Sequence, residues 1–320
     1  MLELANAVET PIRQRVAAAE RIVVKVGTNV IMRDDGAPAV GLVYGLVEAA
    51  VNVKRAGKQI LLVSSGAIGL GAKCLKLERP PTELALKQAC AAIGQSRLMS
   101  LYQDAFSHFD IATAQILLTE DDFLDPVRYS NLLATLRTLL ELGVVPIINE
   151  NDTVSTLELD RPGHGEPQGA EARVSGDRVL GDRVSGDRVF GDNDKLSALV
   201  MTKIDAHLLI LLSDVEGLYT GHPRDREASF VPEVEAITPA LLAYAKASTG
   251  RGRGGMLSKI EAARLVVDAG RIAVIANGRT PGIVERVCSG DDVGTVFYPA
   301  GESLVVRDIP ATGKRSGKRL

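Results

Sequence analysis

Tryptophan is absent, aromatic residues make up only 4% of the chain, and there are just three cysteines and four histidines. A core with so few rings must be built mostly from Val, Leu, Ile and Ala, and apolar residues reach 46%. That supply suits a sheet covered by helices. Cys74, Cys90 and Cys288 are far apart and odd in number, which gives neither a disulfide framework nor metal-type spacing. The histidines fall in no triad or metal-like group, and His108 reads as a surface residue near a helix end. No apolar run approaches a membrane span. The segment Met1–Glu20 carries Glu3, Glu9, Arg13 and Arg15 and lacks the apolar core of a signal peptide. A net charge of -3 gives no overall electrostatic reason to bind nucleic acid. The expectation is a soluble, cytoplasmic protein with neither membrane nor nucleic acid as partner. Its 320 residues suffice for one large α/β domain or two smaller ones.

What the chain does contain is an alternation of strand-like and helix-like segments. Ile22–Val26, Gln59–Val63, Ile111–Leu118, Val144–Ile148, His207–Leu212, Ile272–Ala276 and Gly294–Tyr298 read as strands. Between them, Val40–Ala56, Thr82–His108, Val127–Leu142, Lys195–Ile204, Thr238–Ala247 and Met256–Asp268 read as helices. Gly94, inside the second of these, marks either a break or a point of close packing. Such alternation predicts a mostly parallel sheet.

Polar residues gather where these strands end. Lys25 lies inside the first apolar run and is followed by Gly27-Thr28-Asn29. Either its strand is an edge with the ammonium in water, or the ammonium sits beside phosphate oxygens with Gly27 allowing close backbone approach. Ser64-Ser65-Gly66-Ala67-Ile68-Gly69 follows the second strand. It has neither dinucleotide-fingerprint spacing nor a Walker sequence, so it is a tight turn or an anion-facing one. Ile148-Asn149-Glu150-Asn151-Asp152 follows another strand, and Gly191-Asp192-Asn193-Asp194 precedes a helix; in open α/β sheets ligands bind beyond such strand ends. Gly250–Lys259 is glycine-rich and runs into a helix with Lys259 in its first turn, where the helix dipole disfavours a cation. A nearby anion would explain that position, and a plain linker remains the alternative.

Between the two amide and carboxylate clusters lies a period-five repeat, from Val174-Ser175-Gly176-Asp177-Arg178 to Val189-Phe190-Gly191-Asp192. Glycine every fifth residue opposes a helix, and the period fits no strand face. Residues 157–188 are therefore expected to form a polar surface insertion, of which only the last copy carries chemistry. The basic tail, residues 300–320, is expected to lie outside the folded unit, and its Lys318-Arg319-Leu320 end is a poor match to a peroxisomal address.

Two lysines in phosphate-friendly settings and two amide and carboxylate clusters suit phosphoryl transfer, where catalysis is mainly positioning and charge neutralisation. A carboxylate acceptor would need no general base, being ionised at neutral pH with a pKa of about 4.3.

Val23–Thr28, Val63–Ile68, Ile148–Asp152, Gly191–Asp194, Ser213–Tyr219 and Gly254–Lys259, in this order, resemble the glutamate 5-kinases of the amino-acid kinase superfamily. The resemblance runs over residues 21–299, preceded by an N-terminal extension, 1–20. It implies an αβα sandwich with a mainly parallel sheet of about eight strands, the N-terminal half binding the amino acid and the C-terminal half ATP. It implies ATP-dependent phosphorylation of the γ-carboxylate of L-glutamate, the first step of proline biosynthesis, with Mg²⁺ on the ATP phosphates rather than in a protein cage. Lys25 and Lys259 would neutralise the transferring phosphoryl group and Asp194 would orient them. Ser65, Asn149, Asp152 and Asn193 would bind glutamate. Besides the two lysines, Ser213, Asp214, Arg253, Gly254, Gly255, Met256, Leu257 and Ser258 would bind ATP. Feedback inhibition by proline and a homo-oligomer, dimer or tetramer, are implied too. No PUA domain and no reductase domain is expected after the kinase. Competing readings are an acetylglutamate or aspartate kinase, and a sensor that binds without turnover.

Overall fold

The computed structural model describes residues 11–154, 192–223, 225, 227–238, 241–242 and 255–300. The insertion at 157–188 with its repeat, the end of the tail, Arg253 and Gly254 lie outside the described residues, as does most of the helix expected at Thr238–Ala247.

The strands are β1 (Arg21–Val26), β2 (Gln59–Ser64), β3 (Thr113–Leu118), β4 (Val145–Glu150), β5 (Leu208–Ser213), β6 (Leu218–Tyr219), β7 (Phe230–Val231), β8 (Glu233–Val234), β9 (Ile272–Asn277) and β10 (Thr295–Phe297). Eight of them form one sheet in the order β3-β4-β2-β1-β5-β9-β10-β8, and β6 and β7 form a separate hairpin. From β3 to β9 the pairing is parallel, and β10 turns antiparallel to β9. β1 is thus central, with β2 on one side and β5 on the other. The chain first builds the sheet on one side of β1 and then crosses to the other, so the switch point falls at the carboxyl ends of β1, β2 and β5. Ligands bind at such a point in open α/β sheets.

Side chains alternate across a strand, so β1 presents Ile22, Val24 and Val26 to one face and Val23 and Lys25 to the other. The first face packs against α1 (Ile12–Ala17), α3 (Val40–Arg55), α5 (Leu84–Ser107) and α10 (Ile283–Ser289). The second packs against α7 (Pro126–Glu141), α8 (Asn193–Lys203) and α9 (Met256–Asp268). The result is the expected αβα sandwich. Lys25 is not at an edge: it is buried on the α8 and α9 face.

Two helix starts among the described residues are fixed by side-chain caps. The Asp125 side chain accepts from the backbone N–H groups of Val127 and Arg128, with Pro126 opening α7. Asp192 does the same for Asp194 and Lys195. Periodicity alone starts α8 at Lys195; the Asp192 cap moves the start to Asn193, which puts Asn193 and Asp194 in the first helical turn. Within Met1–Glu20, α1 carries Ile12 and Val16 into the core, and Arg13 reaches the backbone carbonyls of Val293 and Gly294.

Gly94 does not break α5. It is the point where α5 meets α4 (Ala67–Cys74): a Cβ on Gly94 would lie 1.7 Å from the Ala67 carbonyl oxygen, and one on Gly71 would lie 1.9 Å from the Cys90 carbonyl oxygen. The atoms in the way are backbone, so no side-chain rotation relieves the clash. Gly66, at the turn from β2 into α4, has a φ of 104° and so takes a conformation open chiefly to glycine.

At the opposite ends of the strands, His207 Nδ1 accepts from the backbone N–H groups of Glu20 and Arg21 at 3.2 and 3.1 Å. Those partners can only donate, so Nδ1 must stay unprotonated. Burial lowers the His207 pKa, the Arg271 guanidinium lowers it further, and Asp205 opposes both.

Two outcomes are expected. A helix surface would favour Ala over Gly by about 1 kcal/mol, yet Gly94→Ala should destabilise by about 3 kcal/mol or more because two helix backbones must part; a urea midpoint at or above wild type would contradict the packing. For His207, a depressed folded-state pKa means the unfolded chain takes up the proton first, so stability is full above pH 6.5 and falls below it. His207→Asn keeps an acceptor without a titratable ring and should flatten this fall; parallel stability profiles for the two proteins between pH 7 and pH 5 would refute the assignment.

Candidate active site

Lys25 enters from β1, Lys259 from the first turn of α9, and both meet Asp194 in the first turn of α8. Lys25 Nζ lies 2.6 Å from Asp194 Oδ1, and Lys259 Nζ lies 3.2 Å from Oδ2. Both lysine side chains are 6% exposed and the aspartate 0%. Ser258 Oγ donates to Oδ2 at 2.8 Å. Burial alone would raise the Asp194 pKa, but Lys25, Lys259 and the Ser258 hydroxyl more than reverse that and hold it below the usual carboxylate range. The aspartate is therefore ionised, and the three groups together carry one net positive charge. The anion that the position of Lys259 calls for is supplied first by Asp194, whose own place at a helix N-terminus is favourable.

A second group is built from amides. Asn193 Nδ2 lies 3.1 Å from the Ser64 carbonyl oxygen, 3.0 Å from Ser65 Oγ and 2.8 Å from Asn149 Oδ1. Asn149 Nδ2 in turn donates to Gln95 Oε1 at 2.8 Å. Behind them, Ser64 Oγ and Tyr102 Oη are 3.0 Å apart and fully buried, and burial pushes the Tyr102 pKa upward. Asp152 is half-buried in the turn after β4, a turn closed by the Val154 N–H donating to the Asn151 carbonyl. Ser65, Asn149 and Asn193 are thus in direct contact, and Asn193 and Asp194 are consecutive, so the amide group and the lysine pair adjoin.

The third group lies past β5 and β9. Ser213 is buried at the end of β5, and the exposed Asp214 accepts from Asn29 Nδ2 at 3.0 Å. Arg279 donates to the Asn29 carbonyl and faces Asp34, and Asn277 Nδ2 donates to Glu216 Oε1. Gly255 caps α9, and Met256, Leu257 and Ser258 are half-buried along its start.

Gln95, Asn29, Asn277 and Arg279 are additions that motif spacing missed. A mid-helix glutamine looks like a surface residue, and its one clue was the neighbouring Gly94, where α5 packs backbone to backbone on α4. Among the described residues no group of three or more His, Cys, Asp or Glu could hold a metal ion, and the carboxylate oxygens of Asp194 are taken by cations.

Comparison with known proteins gives the family. Residues 20–277 match the model of the amino acid kinase family. A glutamate 5-kinase from Geobacter sp. (strain M21) is 41% identical over 89% of this chain and 69% of its own length. One from Myxococcus xanthus (strain DK1622) is 42% identical over 92% of this chain and 71% of its own. Among solved structures, a carbamate kinase from Giardia lamblia bound to AMP-PNP superposes with a TM-score of 0.56 at 15% identity, covering 88% of this chain and 99% of that one, a likeness of fold alone. With a family match over most of its length and relatives this similar across most of theirs, the chain belongs to the amino acid kinase family and, within it, to the glutamate 5-kinases.

Proposed function

We propose that this kinase phosphorylates the γ-carboxylate of L-glutamate with ATP, giving γ-glutamyl phosphate, the first step of proline biosynthesis. The observation that carries the proposal is the buried aspartate that holds two lysines at the switch point of the sheet, with an amide pocket adjoining it.

In this reading the acceptor carboxylate is already ionised and needs no base. The protein's task is to bring it and the phosphoryl donor together and to offset the charge that builds up between them. Lys25 and Lys259 supply that charge, and their cluster has the sign required. Asp194 holds both ammonium groups in place before any ligand arrives, so little reorganisation is needed at the moment of reaction. Ser65, Asn149, Asp152 and Asn193 take the amino acid, with Asp152 the natural partner for its ammonium. Ser213, Asp214 and the segment from Arg253 to Lys259 take the nucleotide, where the first turn of α9 offers backbone N–H groups to phosphate. Mg²⁺ comes with the nucleotide in this family; the described residues form no cage for it, and no step here is routed through it.

Residues 21–299 are taken as the kinase unit. Inhibition by proline and assembly into a dimer or tetramer belong to the same proposal and rest on the resemblance, and a cytoplasmic location rests on the composition and the N-terminal sequence. For membranes, the observation is that no helix among the described residues is long and apolar enough to cross one.

The test is ADP release with L-glutamate, ATP and Mg²⁺, with hydroxylamine present to trap an acyl phosphate as its hydroxamate. Hydroxamate that depends on L-glutamate, and not on N-acetyl-L-glutamate or L-aspartate, is the expected result, with the rate falling when proline is added. A preference for either of the other two acids, or no hydroxamate at all, would overturn the substrate assignment. Activity indifferent to proline would remove only the feedback component.

A further inference from the structure

We propose that Gln95 is a positioning residue for the amino-acid pocket, acting through a one-way chain of buried amides; the inference rests on the substrate reading above. The sense of the chain is set at its far end. The Ser64 carbonyl oxygen can only accept, so the amide nitrogen of Asn193 must face it, at 3.1 Å. The same nitrogen reaches Asn149 Oδ1 at 2.8 Å, which fixes Asn149 with its oxygen toward Asn193. The nitrogen of Asn149 is then left facing Gln95, and Gln95 must present its oxygen, as it does at 2.8 Å. Each oxygen and nitrogen is thus assigned by the network.

Both inner members are sealed from water, Asn149 at 2% exposure and Gln95 at 8%. If the acceptor at position 95 is removed, the Asn149 amide has an unpaired buried donor, which is costly. A terminal amide torsion is broad and roughly two-fold, so the group can turn over. Any shift or turn by which the Asn149 amide seeks another acceptor weakens its 2.8 Å contact with Asn193, leaving Asn193 held by Ser64 and Ser65 alone.

Two further details fit this role. Gln95 Nε2 is buried with no hydrogen-bond partner, so the residue works as an acceptor and its donor is idle. Asn193 Oδ1, at the other end, is likewise buried and unpartnered. The chain therefore ends on an acceptor oxygen with no partner among the described residues. The close approach of α4 and α5 at Gly94 places Gln95 where it can reach β4 at all.

The test compares Gln95→Met, which keeps volume and loses the acceptor, with Gln95→Glu, which keeps an accepting oxygen but exchanges the Nε2 donor for a second oxygen that can carry a buried charge. The expected result for Gln95→Met is a KM for L-glutamate raised about tenfold, the loss of one buried hydrogen bond, with KM for ATP and kcat unchanged. Gln95→Glu should bring KM for L-glutamate back toward wild type. An unmoved KM for L-glutamate in Gln95→Met, a parallel change in both KM values and kcat, or a Gln95→Glu variant with a wild-type Tm yet a KM no better than that of Gln95→Met would overturn the proposal. A wild-type protein that phosphorylates no glutamate would instead refute the substrate reading. The relay would then be decided by the side-chain amide NMR signals of Asn149 and Asn193: both should shift in Gln95→Met, and signals left in place would overturn it.

Discussion

Everything at the centre of this molecule depends on one buried carboxylate shared by two ammonium groups. Two lysines on a buried face would each face a large desolvation cost, and like charges would drive them apart. Asp194 answers both problems at once, because its oxygens face in different directions and each takes one lysine. Such a cluster is not in itself a source of stability, since apolar side chains of similar volume would do as well or better. Its retention at the meeting point of β1, α8 and α9 is better understood as a fixed electrostatic device. In the proposed reaction it holds positive charge where negative charge must be gathered.

The rest of the architecture exists to bring those three side chains together. Strand alternation sends Lys25 to the same face as Val23, and the parallel pairing of β1 with both β2 and β5 keeps that face central. The Asp192 cap begins α8 two residues before Lys195 and so aims Asp194 inward, and the extended Gly255 starts α9 so that Lys259 comes in from the other side. On the amino-acid side the controlling contact is a pair of glycines, because only where Gly71 and Gly94 let the helices touch can α5 deliver Gln95 to the strand layer. Packing in one layer of the sandwich therefore governs hydrogen bonding in the pocket.

Much of this was legible in the sequence. Strand and helix alternation carried the fold class, since apolar runs such as Leu208–Leu212 leave little choice once they alternate with helix-length segments. The polar clusters at strand ends carried the candidate site, because Asn, Asp and Lys there have few cheap alternatives. What stayed hidden was of a different kind. Whether Lys25 faced water or the interior depended on the position of β1 in the sheet, which no local pattern records. Gln95 looked like any polar residue in the middle of a long helix, and only the neighbouring glycine hinted at close contact. Asn29, Asn277 and Arg279 come from distant segments and meet only because β1, β5 and β9 lie near one another in the sheet.

The most direct test of the central claim is the Asp194→Asn variant, in which the side chain keeps its shape and loses the charge that holds both lysines. Turnover and L-glutamate binding should be measured on the same folded preparation, the latter as the rise in Tm on adding the amino acid. The account predicts a fall in kcat of about 10²–10³-fold or more, the scale of losing preorganised charge at a reacting centre, with the glutamate-induced rise retained. Turnover within about tenfold of wild type would show that the lysines do not need Asp194, and would contradict the account.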